Sequence, residues 1–371
     1  MSPTTNLECL LIADDLTGAC DAAVHFARRG RRTVVCLDPG WESLGASVLA
    51  ISAESRDLSA AELRRVMDEL AQLLPVAQAR ILFKKIDSTL RGNVGAEIAA
   101  AATAFGCEAA VITPAFPAVG RTVESGYLRV AGPPEFEPIE VAARLRGQGL
   151  EACLHTRPGA VAEAIDAGVR FISVDAACDE DLDWIAAAGL GSGRRILWAG
   201  SAGLASALAR AAPGGAAGRA GDVAHTGRPV LFCIGSDHAV TMEQLRRLTA
   251  ERAPLRVSAE TAEPQGIVSA LRQGQHVVLW ASRGQISMER VRELIGNAAG
   301  AAAALALSGG DTASLVCRAL GVSRIELKDE IAPGIPWGYL SGGAFDGSPV
   351  ATKSGGFGGP HALIQVADFF T

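Results

Sequence analysis

Paired cysteines, a surplus of basic charge and a membrane-length apolar run are all missing from this sequence, and each absence removes a class of function. The eight cysteines (Cys9, Cys20, Cys36, Cys107, Cys153, Cys178, Cys233 and Cys317) include no C-x-x-C pair. That argues against a zinc or dithiol site and for small core residues in a reduced cytoplasm. A formal charge of -6 argues against non-specific nucleic-acid binding, which needs a basic face to displace counterions, while leaving room for a small anionic substrate where a few Arg and Lys are gathered. The longest small-apolar run, Ala298 to Leu307, contains Gly300 and is too short to span a bilayer. Met1 to Asn6 lacks the basic region and apolar segment of a signal peptide. No G-x-x-x-x-G-K-[ST] occurs, so there is no P-loop, and no G-x-G-x-x-G follows the first strand, which sharply lowers a nicotinamide-dependent dehydrogenase. What is present is 371 residues with 49% hydrophobic and 20% charged side chains, the composition of a soluble globular chain long enough for two or three domains.

The chain is organised around Ile12-Ala13-Asp14-Asp15-Leu16-Thr17-Gly18-Ala19-Cys20-Asp21. Cys9 to Ile12 is short enough for one buried strand, and Ala19 to Arg29 is apolar at helical spacing. Two carboxylates therefore stand where a strand ends and a helix begins, the edge at which open parallel sheets bind ligands. A helix cap needs one acid or hydroxyl, and here Asp14, Asp15, Thr17 and Asp21 are gathered; on the local pattern both a site and a cap stay open. Side chains alternate along a strand, so one of Asp14 and Asp15 is expected to face the crevice. A second polar cluster, Glu54-Ser55-Arg56-Asp57, follows the strand Val48 to Ser52, ahead of a helix from Ser59 to Leu74 capped by Ser59. The third follows a strand from Arg80 to Phe83 and precedes a helix from Val94 to Phe105. It is Lys84-Lys85-Ile86-Asp87-Ser88-Thr89-Leu90-Arg91-Gly92-Asn93. Such groups can hold a carboxylate and several hydroxyls, with Arg91 offering a bidentate fork. The plainer alternative is a surface loop capped by Ser88 or Thr89. Pro114 to Thr122 is an extended loop whose Arg121 is either a ligand contact or a solvated charge.

Strand and helix candidates alternate up to Ala212, the mark of an α/β fold. Pro213 to Pro229 has many glycines and no apolar period, the character of a linker. The domains are expected at 1–212 and 229–371, joined by 213–228, each with a mainly parallel sheet and flanking helices. In the second, Val230 to Ile234 is a strand and Gly235-Ser236-Asp237-His238 its turn, where His238 is more readily a cap or surface residue than a base. A strand from Ala303 to Leu307 runs into Ser308-Gly309-Gly310-Asp311-Thr312 and a helix to Leu320. The two glycines let successive N–H groups turn toward an anion. Thr352-Lys353-Ser354-Gly355-Gly356-Phe357-Gly358-Gly359 is a second flexible loop with a lysine beside it, and two such loops favour a nucleotide-phosphate site.

Taken in order, Ala13 to Ala19, Lys85 to Gly92, Pro114 to Thr122, Ser308 to Thr312, Pro333 to Trp337 and Lys353 to Gly358 resemble the four-carbon acid sugar kinase family, from Ile12 to Gly358. The resemblance implies ATP-dependent phosphorylation of threonate, erythronate or an oxo-tetronate, usually on the terminal hydroxyl. It also implies an N-terminal sugar-acid domain, a C-terminal nucleotide domain and an active site in the cleft between them. By motif match, Asp14, Asp15, Arg56, Lys84, Lys85, Asp87, Ser88 and Arg91 fall in the sugar-acid site, and Ser236, Gly309, Gly310, Asp311, Thr312, Gly355 and Gly356 in the ATP site. Of the acids, Asp15 is expected to act as base ahead of Asp14, with Asp87 held as a hydroxyl acceptor by its positive neighbours. Mg²⁺ is expected on ATP and one carboxylate, since no dense ligand cluster occurs. The expected partners are the sugar acid, ATP and a second copy of the chain. Two departures from the family are a shorter stretch between Gly235 and Ser308 and a Gly235-Ser236-Asp237-His238 turn where Ser or Cys is usual. A non-catalytic sugar-acid sensor is the competing class, but it has no use for the second glycine loop, Lys353 or the acid pair.

Overall fold

Apolar runs too short for helices set the frame of this computed structural model, which describes residues 7–37, 45–131, 136–213, 227–281 and 286–371. Met1 to Asn6, most of the Pro213 to Pro229 segment and part of the Gly132 to Pro138 loop lie outside the described residues. The chain divides into two compact units, one from Met1–Arg32 and Pro39–Gly218, the other from Thr33–Asp38 and Arg219–Thr371.

In the first unit the strands stand in the order Val48–Ser52, Cys9–Ala13, Ile81–Lys85, Ile196–Gly200, Ala109–Thr113, Phe171–Val174 and Leu154–Thr156, all parallel. Helices Leu16–Ala27, Ala60–Leu73, Val94–Ala104, Asp179–Gly191 and Ala202–Ala211 are among the crossovers. A parallel sheet covered on both faces explains why its strands read as continuous apolar runs. A small antiparallel sheet, Arg121–Glu124, Tyr127–Val130 and Ile139–Glu140, is added, its first strand taking in the end of the Pro114 to Thr122 segment expected as an extended loop. The register pairs Ala13 with Ser52 and Ile12 with Lys84. Three polar clusters far apart in sequence therefore leave the sheet from neighbouring strand ends.

In the second unit Leu255–Ser258, Val277–Trp280, Val230–Ile234, Ala304–Ser308 and Pro349–Lys353 are parallel neighbours in that order. Ile335–Ser341, Arg324–Ala332 and Thr33–Cys36 continue the order as antiparallel strands. Thr33–Cys36 was expected with the first domain. It pairs instead with Arg324 to Leu327, because a short buried strand carries no mark of which sheet will take it. Phe232, Trp337 and Phe370 are fully buried in this unit's core, each such burial contributing about 1.5–3 kcal/mol.

Local chemistry explains several element ends. Ser59 caps Ala60–Leu73 in a capping box with Glu62. Ser88 and Thr89 cap nothing, since Val94–Ala104 starts from Asn93 without a side-chain cap. Cys178, expected in the core, is exposed at the start of Asp179–Gly191; the other seven cysteines are buried, and all eight are free thiols. Among the described residues no helix is long and apolar enough to cross a membrane.

Candidate functional site

Asp14 and Asp15 meet at one guanidinium. Arg56 Nε donates to Asp14 Oδ2 at 2.8 Å, and Arg56 Nη2 lies 2.7 Å from that oxygen and 2.6 Å from Asp15 Oδ2. The expectation that only one of the pair would face the site is thus corrected. Ala13 is the last paired residue of the strand; beyond it no ladder enforces alternation, and both carboxylates turn to the same cation. Asp15 is also the helix cap: its Oδ1 accepts from the Gly18 N–H at 2.6 Å and the Thr17 hydroxyl at 3.0 Å. Cap and site coincide in one residue. Burial pushes the Asp15 carboxyl up and the charge of Asp14 adds to this, against the opposing pull of Arg56, the Gly18 N–H and Lys85. Asp14 Oδ1 is buried and has no hydrogen-bond partner among the described residues. It borders the space left by Gly18, where a Cβ would lie 3.1 Å from Asp15 Oδ1 and 3.5 Å from both Asp14 Oδ1 and Lys85 Nζ.

Asp87 shapes the third loop. Its Oδ1 accepts from the Thr89 amide at 2.9 Å and the Thr89 hydroxyl at 2.6 Å, and its Oδ2 accepts from Arg91 Nη2 at 2.6 Å and Arg91 Nε at 3.1 Å. Burial opposes its charge, yet the bonds and charge of Arg91, the Thr89 hydroxyl and Arg56 hold its carboxyl well below the usual range. Arg91 keeps 63% of its side chain exposed, so the fork expected for a substrate carboxylate is here engaged by Asp87 and still open to solvent. Ser88 Oγ accepts from Arg121 Nη1, which brings Arg121 into the cluster.

Lys84 does not join it. The strand runs on through Lys85, two residues past its expected end, so Lys84 and Lys85 point to opposite faces. Lys84 Nζ is fully buried 3.2 Å from Glu97 Oε2, and Glu97 Oε1 accepts the Ser55 hydroxyl. Lys84 therefore anchors the turn carrying Arg56 from behind. Lys85 Nζ donates to the Ile86 carbonyl at 3.1 Å and stands 4.0 Å from Asp21 Oδ2. Glu97 escaped the sequence reading, although an acid in the first turn of the otherwise apolar Val94–Ala104 helix was a signal.

In the second unit three loops converge. A Cβ on Gly235 would collide with Thr312 Oγ1, and one on Gly355 with Ser236 Oγ. Gly309, at φ +101°, lies beside Ser236, and Gly310–Ala319 begins there without a side-chain cap. Asp311 and Thr312 occupy that helix's first turn. Gly356 packs on His238, a Cβ there falling 3.2 Å from its Nε2. His238 itself is a cap, its Nδ1 accepting from the Val240 N–H at 3.2 Å. Main chain, glycine and a helix N-terminus in one place suit a polyphosphate. Among the described residues no three His, Cys, Asp or Glu side chains are grouped to hold a metal ion.

Two family models match the chain, a sugar-binding N-terminal domain over residues 9–143 and 140–208 and a nucleotide-binding C-terminal domain over 231–363. A D-threonate kinase of Bordetella bronchiseptica is 35% identical, the match covering 96% of each chain. A D-threonate kinase of Cupriavidus necator is 34% identical over 95% of this chain and 96% of its own. A D-erythronate kinase of Heliobacterium modesticaldum is 31% identical over 97% and 96%. The crystal structure of a Haemophilus influenzae protein, 22% identical, superposes with a TM-score of 0.71 over 98% of this chain and 100% of its own, and so shares the fold.

Proposed function

Because this chain belongs to the four-carbon acid sugar kinase family, we propose that it transfers the γ-phosphoryl group of ATP to the terminal hydroxyl of threonate, erythronate or an oxo-tetronate. The observation that carries this is the cluster at three neighbouring strand ends. There Asp14, Asp15 and Asp87 supply acceptors for hydroxyls, while Arg56, Lys85 and Arg91 supply donors for a carboxylate. An acid with several hydroxyls needs both kinds of partner to leave water.

Arg91 is placed to exchange Asp87 for the substrate carboxylate, since its fork is partly exposed and already oriented. Asp87, kept charged, then accepts a substrate hydroxyl. Asp15 is the base, with Asp14 beside it: burial raises the proton affinity of Asp15, as proton acceptance late in transfer requires. Ser236, Gly309, Gly310, Asp311, Thr312, Gly355 and Gly356 surround the nucleotide phosphates. Mg²⁺, resting on those phosphates and one carboxylate, would spread their charge. The sugar-acid domain is 1–212 without its Thr33–Cys36 strand and the nucleotide domain 229–371. The assembly to be tested by sedimentation is a homodimer.

The test is ADP release measured with a panel of tetronates, with Mg²⁺ and again in excess EDTA. ADP formation that needs both a tetronate and Mg²⁺ is expected. Tetronate binding without any ADP release would identify a sensor instead.

A further inference from the structure

Lys353 ends the Pro349–Lys353 strand, directly before the glycine loop, and is 3% exposed. A lysine that gripped phosphate as a point charge would reach out of the loop. This one is folded beneath it. Its Nζ lies 3.0 Å from the Ser354 carbonyl, 3.2 Å from that of Gly355, 3.4 Å from that of Phe357 and 3.0 Å from Thr241 Oγ1. The Thr241 hydroxyl donates to the Gly355 carbonyl at 2.7 Å. Gln244 Nε2 stands 3.0 Å from each of the Phe357, Gly358 and Gly359 carbonyls. Five carbonyls of one short loop are thus drawn toward the Ala239–Arg252 helix.

A trans peptide sets its N–H opposite its C=O, and no peptide bond here is cis. The amides of Gly355, Gly356, Gly358 and Gly359 therefore face away from that helix, and among the described residues none of them donates to a protein group. Successive unpartnered amides are an anion-binding nest. Beneath it, the partners of the Lys353 ammonium are four neutral oxygens, and among the described residues no carboxylate pairs with it. A buried cation without a counter-charge is unfavourable, and burial pulls this one down to about 7.

We infer that Lys353 is a positioning residue for the nucleotide: it turns the loop carbonyls inward so that the amides of Gly355, Gly356, Gly358 and Gly359 receive a phosphate, and its charge favours that phosphate. The inference rests on the nucleotide reading of the second unit. The experiment is calorimetric titration of wild type, Lys353→Met and Thr241→Val with Mg·ATP and separately with D-threonate, alongside KM values for both substrates and thermal melting. Lys353→Met should weaken ATP binding and raise its KM about tenfold or more, with D-threonate binding and melting temperature nearly unchanged. Thr241→Val, which keeps the charge but loosens its hold, should lose about threefold for ATP alone. Equal ATP affinity in Lys353→Met and wild type overturns the inference, as does parallel loss of both ligands with a lower melting temperature. If Lys353→Met does not fold, Thr241→Val and Gln244→Leu decide, selective loss of ATP supporting the inference and unchanged ATP binding overturning it. A wild type that binds no Mg·ATP overturns instead the nucleotide reading beneath it.

Discussion

Asp15 closes the first turn of its helix through Oδ1 and meets Arg56 through Oδ2, so its replacement can separate stability from chemistry. Asparagine caps a helix about as well as aspartate but cannot take a proton. Asp15→Asn is therefore expected to melt near wild type while kcat falls by roughly two to four orders of magnitude and KM changes little. Steady-state kinetics of Asp15→Asn and Asp87→Asn side by side check this, and an intact kcat in the first with a lost kcat in the second exchanges the two roles. At Arg91 geometry outweighs charge. Its two nitrogens address one carboxylate oxygen of Asp87 in the structure, and a lysine could offer only a point charge to a substrate carboxylate. Arg91→Lys should raise the sugar-acid KM about tenfold while the ATP KM stays put; an unchanged KM would move the substrate carboxylate to another residue.

The turn that carries Arg56 is held from behind by elements that never touch substrate in this scheme. Lys84 on the Ile81–Lys85 strand, Glu97 on the Val94–Ala104 helix and Ser55 form one buried chain, and the Ser55 amide donates to the Asp14 carbonyl at 3.1 Å. Removing one member of a buried ion pair leaves the other uncompensated, which costs about 3–5 kcal/mol. Glu97→Gln should lower the unfolding free energy, read from the urea midpoint and slope, by an amount of that order, and Lys84→Met combined with Glu97→Leu should recover much of it. If Glu97→Gln unfolds at the wild-type midpoint, the pair is not what braces the turn.

Across the whole molecule, the two ligands are assigned to different compact units. Gly310 opens the Gly310–Ala319 helix beside Gly309, and a β-branched side chain there would block phosphate from the main chain. Gly310→Val is expected to lose Mg·ATP affinity and keep D-threonate affinity when each is titrated alone; equal loss of both would mean that the units do not bind independently. The sequence by itself determined the α/β alternation, the acid pair at the first strand end, the Ser59 cap and the two glycine loops. These depend on periodicity, capping and backbone freedom, which act within a few residues. Only the tertiary structure decided that Thr33–Cys36 pairs with Arg324 to Leu327, that Lys84 turns to Glu97, that Arg121 reaches Ser88, that one guanidinium joins Asp14 to Asp15, and that Lys353 folds under its own loop. Each of these unites segments separated in the chain, Lys353 included, since it is buried against Thr241 of the Ala239–Arg252 helix. Their meeting depends on strand order and register, and no local pattern of residues encodes either.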